Sequence, residues 1–183
     1  MTVWFVVPGV PKPAGSKKSG VAHRRLPDGS YEPVRTADGR LKTFTKDDTG
    51  EPGKEWRADV RAAAEVAMEG RDLLTGPLQA RIIFKMPRGA GHYGSGRNNG
   101  VLKPSAPFWH TVRPDVDKLS RAVLDALSQV VYEDDGQIVS KNVEKRYIHP
   151  GERAGAYVKI TELAKGATAL TDAAGQATLE LSA

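Results

Sequence analysis

The residues from Thr2 to Val7, TVWFVV, are apolar or β-branched, and Pro8-Gly9 stops them, which is the pattern of a strand. A different rhythm begins at Glu51. In EPGKEWRADVRAAAEVAMEG, Trp56, Val60, Ala63, Ala64 and Ala67 recur at i, i+4, i+7, i+8 and i+11, one apolar face of a helix that Gly70 closes. LQARIIFKM (Leu78–Met86) returns to β-branched alternation and reads as a second strand. A second helix follows in DKLSRAVLDALSQ, where Leu119, Ala122, Val123, Ala126, Leu127 and Val130 form the buried stripe. QIVSKNVEKRYI and AYVKITEL read as two closing strands. The order β-α-β-α-β-β predicts an α+β domain with a small mixed or mostly antiparallel sheet and two main helices.

Two stretches break this pattern. Residues 9–50 are rich in Gly, Pro, Lys, Arg, Asp and Thr, with turn signals at Pro27-Asp28-Gly29 and Asp38-Gly39. They predict a long basic loop with a small hairpin ending at LKTFT. Residues 87–112, PRGAGHYGSGRNNGVLKPSAPFWHTV, open on a Gly/Asn/Pro-rich run and predict a second, mobile loop. Residues 164–183 are small and low in complexity, and are expected to form a disordered tail after a single domain spanning 1–163.

No apolar run approaches the roughly 20 residues of a membrane span. The N-terminal apolar stretch lacks a basic flank and a small-residue cleavage site, so it reads as a strand rather than a signal peptide. The chain has no cysteine, which excludes a disulfide framework and thiolate chemistry and suits a cytoplasmic location.

Net charge adds more by its distribution than by its total of +5. Lys12, Lys17, Lys18, Arg24 and Arg25 precede the first acid, Asp28. Arg81, Lys85, Arg88, Arg97, Lys103 and Arg113 fill the acid-free interval between Asp72 and Asp115. Two basic segments of this kind point to a polyanionic partner, nucleic acid.

The acids then return together, in RPDVDKLSRAVLDAL and YEDDGQI. Residues i and i+2 do not share a face of a helix but do share a side of an extended segment. Asp115 and Asp117 therefore serve one metal only if the chain ahead of the helix is extended. Pro114 favours that geometry for Arg113, and Asp117 is a natural N-cap, so the helix is predicted to start near Asp117. Asp117, Arg121 and Asp125 then follow at i, i+4 and i+8 on one polar ridge. A short turn carrying Glu133, Asp134 and Asp135 is expected to return one carboxylate to the helix start. Converging carboxylates repel unless a cation neutralises them, and oxygen-only ligands favour Mg²⁺, with Mn²⁺ as a substitute, over zinc. The same residues also admit an ordinary structural reading, as a cap, a solvated helix position and a polar turn. A protein that only bound DNA would gain nothing from acids beside its phosphate surface, whereas a nuclease needs them.

From Arg113 to Ile138 the sequence resembles the RusA family of Holliday junction resolvases, whose pattern runs approximately R-x-D-x-D-N-x-x-K-x-x-x-D-A-L and then D-D-x-Q-[IV]. A weaker likeness extends over the N-terminal strand, the EWR helix and the closing strands. The resemblance implies a homodimeric, Mg²⁺-dependent endonuclease that cuts four-way DNA junctions by paired nicks in recombination and repair, and a phage or prophage source suits such a compact enzyme. By position its metal-binding aspartates are Asp115, Asp117 and Asp135, with Asp125 and Asp134 as supporting acids. Two positions depart from the pattern: Lys118 stands where the family has Asn, and Arg121 where it has a catalytic Lys. Arginine stabilises charge but does not give up a proton, so both Arg121 and Lys118 are candidates for the lysine's role. Arg113, Lys12, Lys17, Lys18 and Arg146 are the expected DNA-backbone contacts. The competing readings are a branched-DNA-binding protein without catalysis and a Mg²⁺-dependent phosphatase acting on small esters.

Overall fold

The computed structural model describes residues 1–15, 17–47, 50–164, 168–171 and 177–180. Its centre is a four-stranded mixed sheet in the order β1-β8-β6-β7, built from β1 (Thr2–Pro8), β6 (Leu78–Met86), β7 (Ile138–Tyr147) and β8 (Gly155–Glu162). β8 pairs antiparallel with both β1 and β6, whereas β6 and β7 run parallel. A parallel pair needs a crossover, and helix α2 (Val116–Leu127) lies within it. Helix α1 (Glu51–Met68) packs against β1 and α2. The predicted β-α-β-α-β-β order is thus the order of this core.

Alternation decides which face the helices cover. Val3, Phe5 and Val7 of β1, Leu78, Ala80, Ile82, Phe84 and Met86 of β6, and Ala156, Val158 and Ile160 of β8 are all buried on one side. Trp56, Val60 and Ala64 of α1 meet them there, with Leu119, Ala122, Val123, Ala126 and Leu127 of α2. Ala63 and Ala67, placed on the apolar face of α1 by periodicity, pack at the margin of this core.

The opposite face of the sheet is open. Trp4 and Val6 remain more than half exposed, at 62% and 54%. On the β6–β7 side of that face Glu152 gathers cations: Arg146 Nη1 and Nη2 donate to its two oxygens at 2.7 and 2.9 Å, Lys85 Nζ lies 3.2 Å away, and the His149 N–H donates at 2.8 Å. The hydrogen bonds from Arg146 hold the Glu152 carboxyl well below its ordinary value of 4.5. The stabilisation is therefore complete above pH 4.5 and fades as the pH falls from there through the native-state value. Glu152→Gln is expected to lower stability by about 2 kcal/mol at pH 7, the scale of hydrogen bonds to a charged group. Urea unfolding at pH 7 and again near pH 3 checks this, because the gap between variant and wild type narrows in acid.

The region 9–50 departs from the expected loop. β2 (Lys17–Val21) pairs with β5 (Thr43–Asp47) as the stem of an antiparallel arm, and β3 (His23–Arg25) pairs with β4 (Tyr31–Pro33) beyond it. Where the stem opens, the Ala22 N–H donates to Lys42 O, the Lys42 N–H to Val34 O, and the Val34 N–H to Ala22 O, a closed ring of three backbone bonds. A second turn bridges Arg35 to Leu41. Gly20 lies under the Phe44 ring, 3.1 Å from where a Cβ would sit, so the ring supplies the cross-strand packing that glycine lacks. Alternation did not reveal these strands because none of the arm's described side chains is buried.

The 87–112 stretch is also more tied down than its composition predicts. Arg88 donates to Ile148 O at 2.7 Å and Pro107 O at 2.8 Å, and Tyr147 N and His110 N bond to Phe108 O and Lys145 O. Pro107–His110 thereby covers the outer edge of β7. In the tail, β9 (Thr168–Thr171) pairs antiparallel with β10 (Ala177–Glu180), and the other residues from 165 onward lie outside the described residues. No helix among the described residues is long and apolar enough to cross a membrane.

Candidate active site

Helix α2 begins at Val116, one residue before the predicted start, so Asp115 and not Asp117 occupies the N-cap. Asp115 has extended backbone, φ −68° and ψ 140°, and its side chain makes no capping hydrogen bond. The extended-then-helical junction lies between the two aspartates, which is what lets an i, i+2 pair converge. Both carboxylates are exposed and line one pocket with Lys118, Arg121 and Lys141. The N-terminal end of the helix dipole favours negative charge here.

The segment ahead of Asp115 is held from β7. Lys145 Nζ donates to Val112 O at 2.7 Å and to Pro114 O at 2.6 Å. Burial lowers the Lys145 pKa and the neighbouring Asp115 charge opposes that shift. Lys141 sits four residues earlier on the same strand, so it shares a face with Lys145, and its Nζ reaches Ser120 Oγ at 3.3 Å. Sequence reasoning missed both lysines. The signal was present in SKNVEK, where the face shared by Lys141, Val143, Lys145 and Tyr147 is the one that must turn toward α2.

A second groove adjoins the first at Asp115. Val10, Pro11, Lys12, Pro13, Met86, Arg113, Pro114 and Lys118 line it, and the Ala14 N–H donates to Lys118 O at 2.9 Å, tying the proline-rich segment to α2. The expected DNA contacts Lys12 and Arg113 are therefore brought together beside the carboxylates. Lys17 and Lys18 lie in β2 of the arm, and their side chains fall outside the described residues. Arg146 lies on the open face of the sheet, away from α2, with its guanidinium held by Glu152.

Asp135 is not brought to this pocket within the chain. Tyr132 is fully buried, its hydroxyl donates to Leu124 O at 2.9 Å, and its pKa is raised by burial first, then by Asp135 and Asp125. The turn that follows Tyr132 is thereby fixed near the C-terminal half of α2, while Asp115 and Asp117 occupy the N-terminal end. At ~1.5 Å per residue the 12 residues of α2 extend about 18 Å. Asp134 serves the turn itself, since its Oδ1 accepts from the Gly136 N–H at 2.7 Å. Gln137 clamps it further: Oε1 accepts from the Glu133 and Asp134 N–H groups, and Nε2 donates to Leu74 O and Gly76 O. In D-D-x-Q, then, the first Asp and the Gln build the turn that presents the second Asp to solvent. Among the described residues, no three His, Asp or Glu side chains form a group that could hold a metal ion.

Two comparisons bear on this geometry. A family profile described as Endodeoxyribonuclease RusA matches residues 30–161, which contain the arm's second half, both helices, and all of the sheet except β1 and the end of β8. The chain is also 31% identical over 80 residues to Uncharacterized protein YqaN of Bacillus subtilis (strain 168), covering 41% of this chain and 52% of that protein, so it spans about half the length of the curated relative it matches. With the profile covering most of the core and the paired-aspartate helix, this chain belongs to the RusA family of endodeoxyribonucleases.

Proposed function

We propose that the protein is a homodimeric, Mg²⁺-dependent resolvase that cuts four-way DNA junctions by paired phosphodiester hydrolysis, in recombination and repair. The observation that carries this reading is a pair of carboxylates, Asp115 and Asp117, set inside a wall of cations: Lys118, Arg121 and Lys141 in one groove, Lys12 and Arg113 in the next. A purely DNA-binding surface has no use for the two acids, and a small-ester phosphatase has no use for the extended basic groove.

The donor set suits a hard divalent cation. Mg²⁺ commonly binds through one or two carboxylates together with substrate phosphates and keeps several waters, and Asp115 and Asp117 supply that number within one chain. Asp135, at the other end of α2, joins them only if a second protomer presents it, which is the reason to assign the site to a dimer. When bound there, the metal supplies Lewis-acid polarisation of the phosphate and a more acidic water.

The chain's own groups do the rest. Lys12 and Arg113 hold backbone phosphates along the groove, and Lys118 and Arg121 place positive charge beside the reacting phosphate. Water oxygen adds to phosphorus, the P–O bond to the leaving sugar oxygen breaks, and a proton from the water ends on that oxygen. Arg121 stays protonated throughout, so its part is to stabilise charge on the non-bridging oxygens. The test is cleavage of an immobile and a mobile four-way junction beside linear duplex, with Mg²⁺, Mn²⁺ or EDTA. Paired nicks on junctions alone, dependent on the metal, are expected. Junction binding without nicking under every metal condition would instead make the protein a non-catalytic branched-DNA binder.

A further inference from the structure

Resting on that reading, we infer that Lys141 is a further catalytic residue, whose ammonium contacts the reacting phosphate from the strand side of the pocket. Sequence comparison directs attention to positions 118 and 121, both on α2. The fold adds a third cation from a different element. β7 runs beside β6 under α2, and the side of β7 that faces the helix carries Lys141 level with the helix's second turn. Lys141 and the two aspartates line the same pocket, so a phosphate lying against the carboxylates is flanked by Arg121 on the helix and Lys141 on the strand.

The placement of Lys141 is built rather than incidental. Ser120 is 1% exposed, and its hydroxyl donates to Asp117 O at 3.0 Å while lying 3.3 Å from Lys141 Nζ, from which it accepts. A buried hydroxyl thus couples the ammonium to the same turn that carries Asp117. A lysine ammonium has three donors, and Ser120 takes one, which leaves donors for phosphate oxygens. Lys141 itself is exposed, so the ammonium is open to a substrate phosphate while the buried Ser120 hydroxyl fixes its direction. Lys145, by contrast, directs its Nζ into the carbonyls of Val112 and Pro114, and so fixes the backbone ahead of Asp115 without facing the substrate.

The full chain is tested as Lys141→Gln, Lys141→Arg and Ser120→Ala in single-turnover cleavage of a four-way junction with Mg²⁺, with junction affinity measured separately in Ca²⁺ or EDTA. Lys141→Gln is expected to slow cleavage about 100-fold, the scale of losing one charge-stabilising donor at a reacting centre, with far less change in junction affinity. Lys141→Arg should recover most of the rate because it keeps the charge, and Ser120→Ala should fall between. Wild-type cleavage by Lys141→Gln would overturn the assignment. So would a loss of affinity that accounts for the whole loss of rate, since that would make Lys141 a backbone contact only. If wild type itself fails to nick any junction, it is the resolvase reading that falls, and that outcome is visible before any variant is compared.

Discussion

Asp117→Asn is expected to bind a four-way junction at least as tightly as wild type and to cleave it at least about 1,000-fold more slowly. The loss follows from removing one of two carboxylates that share the pocket at the start of α2. A metal's stabilisation of the transition state is worth several kcal/mol, and each 1.36 kcal/mol is a factor of ten in rate. Retained or improved binding follows from the same charge count: Asn removes one of the two repulsive charges in a groove whose other members are Asp115, Lys118, Arg121 and Lys141. Asp117 lies in the exposed first turn and provides no cap, so the substitution leaves the fold in place. Asp115→Asn should behave alike, because Asp115 fills the N-cap position without using its carboxylate there. Gel-shift affinity and single-turnover cleavage on one substrate separate the two effects, and a variant that cuts at the wild-type rate would remove Asp117 from the chemistry.

Mixing two inactive variants is expected to restore nicking. Asp117→Asn and Asp135→Asn each inactivate both sites of a homodimer if each site draws Asp117 from one protomer and Asp135 from the other. In a mixed dimer, one site then carries both substitutions and the second carries none. The intact site nicks a single strand, so re-equilibrated mixtures should yield nicked junction without paired cuts. If Asp117 and Asp135 of the same chain served one site, every site in every mixed dimer would carry one substitution and the mixture would stay inactive. The expectation rests on the position of Asp135 beyond buried Tyr132, whose hydroxyl is bonded to Leu124 O at the opposite end of α2 from Asp115. Sedimentation checks that wild type and both variants are dimers, and co-purification of an untagged variant with a tagged one checks that protomers exchange.

The sequence was sufficient wherever one side of an element is buried. The stripe of α2 and the alternation of β1, β6 and β8 appear in the order of residues because burial selects apolar side chains at a fixed period, 3.6 for a helix and 2 for a strand. The paired aspartates were legible for a related reason. Local chemistry, Pro114 followed by a helix start, makes the i, i+2 spacing meaningful, while the cap's exact position, Asp115 instead of Asp117, and the hold of Lys145 on the segment ahead of it belong to the fold. Within the arm of residues 17–47 only a small hairpin ending at LKTFT was expected, since no buried face among the described side chains imprints a period on the sequence.

What the tertiary structure alone decided is which groups meet across elements. The sequence carries DDGQI a few residues after the helix, and proximity along the chain suggested that a carboxylate returns to the helix start. Burial of Tyr132 and the clamp of Gln137 on Leu74 and Gly76 instead fix that turn at the far end. The opposite lesson comes from Lys141 and Lys145, more than twenty residues from the aspartates in sequence and beside them in space, because parallel pairing of β7 with β6 returns the strand along α2. Arg146, one residue further on, goes to the open face for the same reason, since adjacent side chains of a strand point to opposite sides. A sequence sets the type and period of each element locally, whereas the meeting of charges from α2 and β7 depends on register and crossover, which only the folded sheet supplies.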